Sequence, residues 1–551
     1  MGLTGVLNIG KTALLTSQTA IQTTSHNIAN VNTPGYTRQR ANLAAGEPVL
    51  GGGKYLGTGV KLTGVERVYD RFINAQILDA SEANGRYSAL EDRLRRLEGI
   101  FNDSQRLGAA DVLNGFFDAI HDVVNDASSY SARAVLLSKA EIMTDRINSL
   151  DLRLRDEIRN IESEINNAAK DINSLAAQIA VLNGKIQEIE AGGSENANDL
   201  RDERELLLKK LAEKIDMTAL EDSESQQMTV LAAGGNLLAA GGAASSLTVS
   251  ANTGNNNYYD VMLGDHNITD NISSGKLKGL IEARDSHFQD ALTRLDILSA
   301  SITKEFNVLH SGGYGLDSST GNNFFTALSP IITTMSSNTG GATASASVQT
   351  LSSLTLDDYE IRFTSSSSFN IVNTTEDTIV STGNSYTSGA NIDFEGLRAV
   401  ITNDTGSPQS GDIFRISVTK GAAQNIGMAV TDPNKFAAAS TSATLPGGNA
   451  NVVNMAELEN SNVMANGTAV FSGYYTAIVA DIGVSSGEAK TNSDAQTLVL
   501  EELESYRDSI SGVSLDEEGI NLLKYQHSYQ AAAKVITTVD DMLNTLMSLL
   551  R

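Results

Sequence analysis

Gly51, Gly52, Gly53 and Lys54 place three glycines before a lysine, the residue types that cradle a phosphate through backbone N–H groups and a cation. The phosphate-loop pattern also needs a glycine where this chain has Pro48 and Ser or Thr where it has Tyr55, so the cluster reads as a turn. Six histidines, His26, His121, His266, His287, His310 and His527, could ligate zinc or act as bases. They form no His-Glu-x-x-His run and no close pair, and structural roles are expected for all of them. Glu501, Glu502, Asp516, Glu517 and Glu518 could supply a carboxylate pair. Close to a helix start, they read more simply as solvated charges favoured by the helix dipole. With no nucleophile, base and orienting group at a recognisable spacing, no enzyme activity, metal site or cofactor is expected.

The 551 residues are too many for one ordinary core, and three or four units are expected. Lys and Arg number 40 against 66 Asp and Glu, a net charge of −26 that repels polyanions and argues against nucleic acid as a partner. The absence of Cys removes disulfides, thiolate nucleophiles and Cys-based metal sites. Apolar stretches are broken by Asn, Asp or Gly before reaching the roughly 20 residues of a membrane span, so no membrane partner is expected. The opening MGLTGVLNIGKTALLTS lacks a basic, then apolar, then small-residue secretory signal, so export would need another route.

The elements that would position any functional residue are amphipathic helices at both ends. Leu7, Leu14, Ile21 and Ile28 repeat every seven residues, with Leu3, Gly10, Ser17 and Thr24 interleaved. At the other end Leu522, Tyr525, Tyr529, Ala532, Ile536, Val539, Leu543, Leu546 and Leu550 keep the same spacing. Ser514 and Glu517 form a capping-box pattern at its start. Neither helix can bury its stripe alone. One reading packs both onto the body; the sharper one pairs them with each other and with neighbouring copies, because Gly10 and Ser17 admit close approach.

Between the ends, helical pattern runs from about Asn74 to Phe101 and Ala110 to Ala127. It then follows a long rod through Ile147, Leu154, Ile161, Ile172, Ile179, Leu182 and Ile189, stopped by Gly192 and Gly193. A helix from Asn198 to Ile215 would return along that rod. Short β-like runs follow at about 217–272, then helix from Leu277 to His310. Ser/Thr/Gly-rich alternation fills 330–420, and helix resumes from Val470 to Ser509. The expected fold is mixed and mainly α. A terminal axial pair spans 1–60 and 511–551, a helical middle spans 61–329 and 421–510, and a β-rich outer domain is inserted at 330–420.

The string SHNIANVNTPGYTRQR resembles the N-terminal signature of bacterial flagellar rod, hook and hook-associated proteins through Asn27, Asn30, Asn32, Thr33, Pro34, Gly35, Tyr36 and Arg38. SLDEEGINLLKYQHSYQAAAKVITTVDDML resembles the matching C-terminal signature through Asp516, Glu517, Glu518, Tyr525, Gln526 and Tyr529, with Ser514 where Asn is common. Interior runs are similar to the hook-associated members: Arg67, Tyr69 and Asp70; Asn198, Asp199 and Asp202; Arg284 and Asp285; Phe306, Asn307, His310, Phe324 and Phe325.

That resemblance implies a non-enzymatic structural subunit joining hook to filament as a junction ring. It implies nested terminal helices lining a tube through Leu3, Leu7, Leu14, Ile21 and Ile28 and their C-terminal counterparts. Implied partners are other copies of the chain, the hook protein on one side, a second junction protein or flagellin on the other, and a cytoplasmic export chaperone on the C-terminal helix. The implied location is the extracellular flagellum, reached through the flagellar type III apparatus without a cleaved signal peptide. A hook or distal-rod subunit, a surface adhesin acting through the β-rich domain, and a cell-wall hydrolase remain as alternatives.

Overall fold

The computed structural model describes residues 2–51, 53–101, 108–191, 196–222 and 226–549. Helix α1 covers Leu3–Ala29. Four short strands follow that the sequence reading did not place: β1 Gln39–Ala45, β2 Val49–Gly51, β3 Lys54–Leu56 and β4 Val60–Arg67. β1 pairs with β4 and β2 with β3, both antiparallel, and Gly51 stands opposite Lys54 in the second pair. Helices α2 (Arg71–Phe101), α3 (Ala109–Asn125), α4 (Tyr130–Glu190) and α5 (Asn198–Ala212) come next.

The 61 residues of α4 make a rod about 90 Å long. Its start is capped by the Ser129 hydroxyl, which accepts from the Ala132 N–H at 3.2 Å. Ile161, Ile165, Ile172, Ile179 and Ile186 have no exposed surface, as a stripe at three-four spacing requires. Ile189, at the end of the expected stripe, is exposed. Gly192 and Gly193, the expected stop, lie outside the described residues. α5 does return along the rod: Arg201 meets Glu190 at 2.7 Å, and buried Arg204 donates to Asn183 Oδ1 at 3.0 Å.

Two small sheets lie on the rod: β5 Met217–Glu221, β6 Met228–Ala232, β7 Asn236–Ala240 and β8 Ala243–Ala244 in sequence order, and β9 Leu247–Asn252, β10 Tyr258–Leu263 and β11 His266–Asn267 with β10 central. Helices α6 (Gly275–Glu282) and α7 (Gln289–Gly312) are joined by a π-helical turn over Ala283–Phe288, invisible to a 3.6-residue pattern. It turns Arg284 inward, where NH1 donates to Glu162 Oε1 at 2.6 Å and to the Tyr259 carbonyl at 2.8 Å. Phe306, Phe324 and Phe325 pack with Phe116 in one aromatic cluster. Asn307 holds that cluster's backbone, accepting from both Phe324 and Phe325 N–H groups at 2.8 Å.

The inserted segment is a β sandwich. Strands β12 (Ile331–Thr334), β13 (Ala342–Val348), β14 (Tyr359–Ser365), β15 (Ser368–Asn373), β16 (Thr378–Ser385), β17 (Asn391–Phe394), β18 (Leu397–Asn403) and β19 (Ile413–Ser417) form sheets ordered β12-β19-β14-β15-β16 and β13-β18-β17. Alternate residues Tyr359, Ile361, Phe363, Ile401, Phe414 and Ile416 close a separate core, as period-two alternation predicts.

The chain re-enters the body through short helices α8 (Ala422–Asn425) and α9 (Ala450–Glu457) and ends in α10 (Phe471–Ser511) and α11 (Leu515–Leu549). α10 runs antiparallel to α2, with Tyr475 beside Phe101 and Leu500 clustered with Ile73 and Ile77. α11 runs antiparallel to α1: Gly10 faces Ile536 and Asn27 faces Glu518.

Candidate functional site at the meeting of the chain ends

The buried face of α1 is made mostly of small residues. Gly10, Thr16, Ser17, Ala20, Thr23 and Thr24 are buried, whereas Leu3, Leu7, Leu14, Ile21 and Ile28 are half-buried along its flank. A Cβ at Gly10 would stand 2.9 Å from Ile536 Cγ1, so glycine sets the closeness of the pair. Two of the buried threonines bond their own helix, Thr16 to the Thr12 carbonyl at 2.9 Å and Thr23 to the Thr19 carbonyl at 3.0 Å. On α11, Val539 and Ala532 are buried and Leu522, Tyr525, Ile536 and Leu543 half-buried. Tyr529 and Leu546 are exposed, and Leu550 lies outside the described residues.

Helix α1 ends where Asn30, Asn32, Pro34 and Gly35 gather. Thr33 N–H bonds the Asn30 carbonyl at 2.9 Å, and Tyr36 N–H bonds Thr33 at 3.2 Å. Gly35 has φ +79° and sits where a Cβ would approach Leu206 Cβ to 3.2 Å, so both backbone and space call for glycine. That turn throws Tyr36 back over the last turn of α1. Its hydroxyl donates to Asn27 Oδ1 at 2.8 Å and lies 3.1 Å from His26 Nδ1.

Asn27, 1% exposed, uses its whole amide. Oδ1 also accepts the Gln39 N–H at 3.0 Å; Nδ2 donates to the Gln39 carbonyl at 2.8 Å and to Glu518 Oε2 at 3.0 Å. Beside it Arg38 NH1 reaches Glu517 Oε2 at 2.7 Å, and the Arg38 N–H bonds the Ser511 carbonyl at 2.9 Å. The start of α5 completes the joint. Asp202 accepts from the Thr37 N–H and from Arg67 NH1, both at 2.8 Å; Asp199 accepts from Gln39 Nε2 at 2.7 Å. The Arg67 guanidinium lies 4.7 Å from the centre of the Tyr69 ring.

Burial, and then the carboxylates of Asp199, Asp202 and Glu518, hold the Tyr36 hydroxyl well above the usual phenol range, so it remains a donor. Burial also raises Asp202 above the usual carboxylate range, against the pull of Arg67. The named groups are turned on one another, an arrangement suited to fixing geometry.

Two sequence expectations are corrected here. Glu518 is not a solvated dipole charge: it is 3% exposed and accepts from Asn27 of α1, while Glu517 stays exposed and pairs with Arg38 of the loop. The capping box is only half made, because the Ser514 hydroxyl is 3.5 Å from the Glu517 N–H and the Glu517 carboxylate turns to Arg38 instead of back along the helix. Of the other signature residues, Asn32, Thr33, Pro34, Asp516 and Gln526 are exposed, and Asn30 stays within the loop, bonding the His26 carbonyl at 3.1 Å. Gln39, bound on both its main chain and its side chain, was not singled out; no spacing rule marks a lone glutamine just inside a strand.

The remaining candidates are dispersed. His310 is buried between the Asn322 carbonyl at 2.7 Å and the Ala437 N–H at 3.0 Å, burial lowering its pKa. His121 pairs with Glu459 at 2.8 Å. Glu501 and Glu502 are exposed on α10. Among the described residues no cluster of three or more His, Asp or Glu is arranged to hold a metal, and no helix is long and apolar enough to cross a membrane.

Residues 94–325 match the model of the flagellar hook-associated protein FlgK helical domain. Residues 7–37 match that of the flagella basal body rod protein, and 505–549 that of the flagellar basal body rod FlgEFG protein C-terminal region. Flagellar hook-associated protein 1 of Salmonella typhimurium is 28% identical over 99% of this chain and 100% of its own length. That of Escherichia coli K12 is 27% identical over the same shares, and that of Bacillus subtilis 26% identical over 98% and 97%. Over its full length the chain is similar to flagellar hook-associated protein 1. In fold it is similar to the flagellar hook junction protein FlgK of Burkholderia pseudomallei, with a TM-score of 0.66 and 18% identity over 79% of this chain and all of that one. The two rod-type matches fall on α1 with its loop and on the end of α10 with α11, the segments that Asn27, Arg38, Glu517 and Glu518 tie together. The β sandwich lies outside all three family models.

Proposed function

We infer that this chain is a structural subunit of the bacterial flagellum that joins hook to filament. The observation that carries this reading is the polar joint between the two chain ends. It holds α11 against α1 while Ile520, Leu523, Leu546, Met547 and Leu549 of α11, together with Leu498 and Tyr506 of α10, stay exposed. Apolar surface of this extent on terminal helices suits burial against neighbouring subunits. Full-length likeness to hook-associated protein 1 from three genera supports the same place in the organelle.

On this reading copies of the chain form a ring, with the hook protein below and a second junction protein or flagellin above. The exposed stripe of α11 is masked by an export chaperone until the chain passes through the flagellar type III apparatus to the cell exterior. The role is mechanical and no reaction is catalysed.

Electron microscopy of a strain lacking the protein tests this reading. Hooks without filaments, with flagellin released to the medium, are expected, and the full chain should restore filaments. Normal filaments in the deletion strain would refute it.

A further inference from the structure

Asn-Gly, the dipeptide most open to attack of a backbone nitrogen on the preceding side chain, occurs at Asn84-Gly85, Asn114-Gly115, Asn183-Gly184 and Asn466-Gly467. The first three lie inside α2, α3 and α4, where helical geometry holds the glycine N–H away from the asparagine side chain. Asn466-Gly467 lies in an exposed turn closed by the Met464–Ala469 bridge. Ala465, Asn466 and Gly467 all have left-handed φ, +49°, +54° and +78°. The Gly467 N–H is only loosely held, sharing the Met464 carbonyl at 3.1 Å with the N–H groups of Thr468 at 3.0 Å and Ala469 at 3.2 Å. Glycine leaves the attacking nitrogen unshielded.

The same side chain touches the outer domain. Asn466 Nδ2 donates to Glu376 Oε1 at 3.3 Å, on the turn between β15 and β16, with Asp377 next in the chain. Beyond the paired connections at β12 and β19, this contact ties the sandwich to the body at a second place.

We propose that Asn466 is a site of spontaneous deamidation, and that its conversion loosens the outer β domain from the body at this contact. The Gly467 nitrogen attacks Asn466 Cγ; the N–Cγ bond forms, the Cγ–Nδ2 bond breaks, and Nδ2 leaves as ammonia with the proton lost by Gly467. Water opens the cyclic imide at either carbonyl, giving aspartate or isoaspartate. No enzyme, metal or redox partner is consumed. Both products replace a donor to Glu376 with a carboxylate beside Glu376, with Asp377 next in the chain, and like charges at such range repel. Isoaspartate also adds a backbone atom between the Met464 and Ala469 positions that the bridge holds together.

The test is peptide mapping of the folded full chain aged in warm, mildly alkaline buffer, with isoaspartate detected by enzymatic methylation. The peptide holding Asn466 should convert several times faster than those holding Asn84, Asn114 and Asn183, and N466Q should abolish its signal. Equal or slower conversion at Asn466 would overturn the proposal. The loosening is read separately by limited proteolysis of the connectors at 326–330 and 418–421. N466D should be cut there several times faster than the unmodified chain, and N466D combined with E376Q and D377N should return towards its rate. Unchanged cleavage of N466D would sink the loosening.

Discussion

Asn27 Nδ2 donates to the Glu518 carboxylate at 3.0 Å, joining the first and last helices through residues 491 positions apart. The same asparagine pairs with both main-chain groups of Gln39, so helix α1, strand β1 and helix α11 meet on one side chain.

Asn27→Ala should therefore loosen the chain ends without unfolding the body. It orphans the Gln39 main-chain groups and a buried carboxylate, at about 1–3 kcal/mol for each group left unpaired. Hydrogen exchange should accelerate in α1 and the first turns of α11 and stay unchanged in α4. Asn27→Asp should be worse, because it sets a second carboxylate against Glu518, and Glu518→Gln milder, because an acceptor remains. A reversed order would show that the contact does not hold the ends.

The rod's stripe is core within one chain. Ile172 and Ile179 have no exposed surface, so Ile172→Ala or Ile179→Ala should cost about 2–5 kcal/mol in denaturant melts of the isolated protein. Leu152→Ala and Val181→Ala, on the solvent side of the same helix, should stay within about 0.5 kcal/mol.

Glu82 should make stability fall as pH rises. Burial pushes its carboxyl from the ordinary 4.5 up to about 8, with Asp216 and Asp79 adding to the rise and the Met217 N–H, at 2.8 Å, opposing it. The folded state thus holds this proton more tightly than the unfolded one, so the group's contribution is complete below about pH 4.5 and lost as pH rises towards 8. Glu82→Gln keeps the acceptor and removes the charge. It should melt at a higher temperature than the parent above pH 8 and at the same temperature in acid, in thermal scans run in parallel.

Removing residues 515–551 should leave a cooperative body. The main apolar core draws on α2 to α10 and includes no α11 residue, so the truncated chain should keep its transition and most of its helical signal. Added to exposed hook ends, it should fail to support filament growth. Filaments of normal length would remove α11 from any tube-lining role; a lost transition would place it in the body's own core.

The parts of the fold legible in sequence are those whose burial is apolar and periodic. Ile161, Ile172 and Ile179 announce the rod, and Tyr359, Ile361 and Phe363 announce the sandwich. On α1 the spacing marks Gly10, Ser17 and Thr24 beside Leu7, Leu14 and Ile21, whereas buried Thr16, Ala20 and Thr23 go unmarked, because their small size favours burial while their hydropathy says little. The burial of Glu518 is not legible for a different reason: an acid at a helix start is ordinarily solvated, and this one meets Asn27, 491 positions away in the chain. Strands β1 to β4 escaped notice because runs such as Gln39–Ala45 carry few large apolar residues. The inward turn of Arg284 depends on a π-helical step that no regular period contains.

The sandwich enters through β12 and leaves through β19, which pair directly, Ile331 opposite Ser417 and Ile332 opposite Ile416. Entry and exit are therefore one strand spacing apart, about 5 Å. At this connection the body presents a socket of fixed width, and the Asn466–Glu376 contact is the further tie that a replacement would give up. Any compact domain whose own termini emerge as neighbouring strands could be exchanged there without rerouting the body, which makes this position a natural place to graft a module.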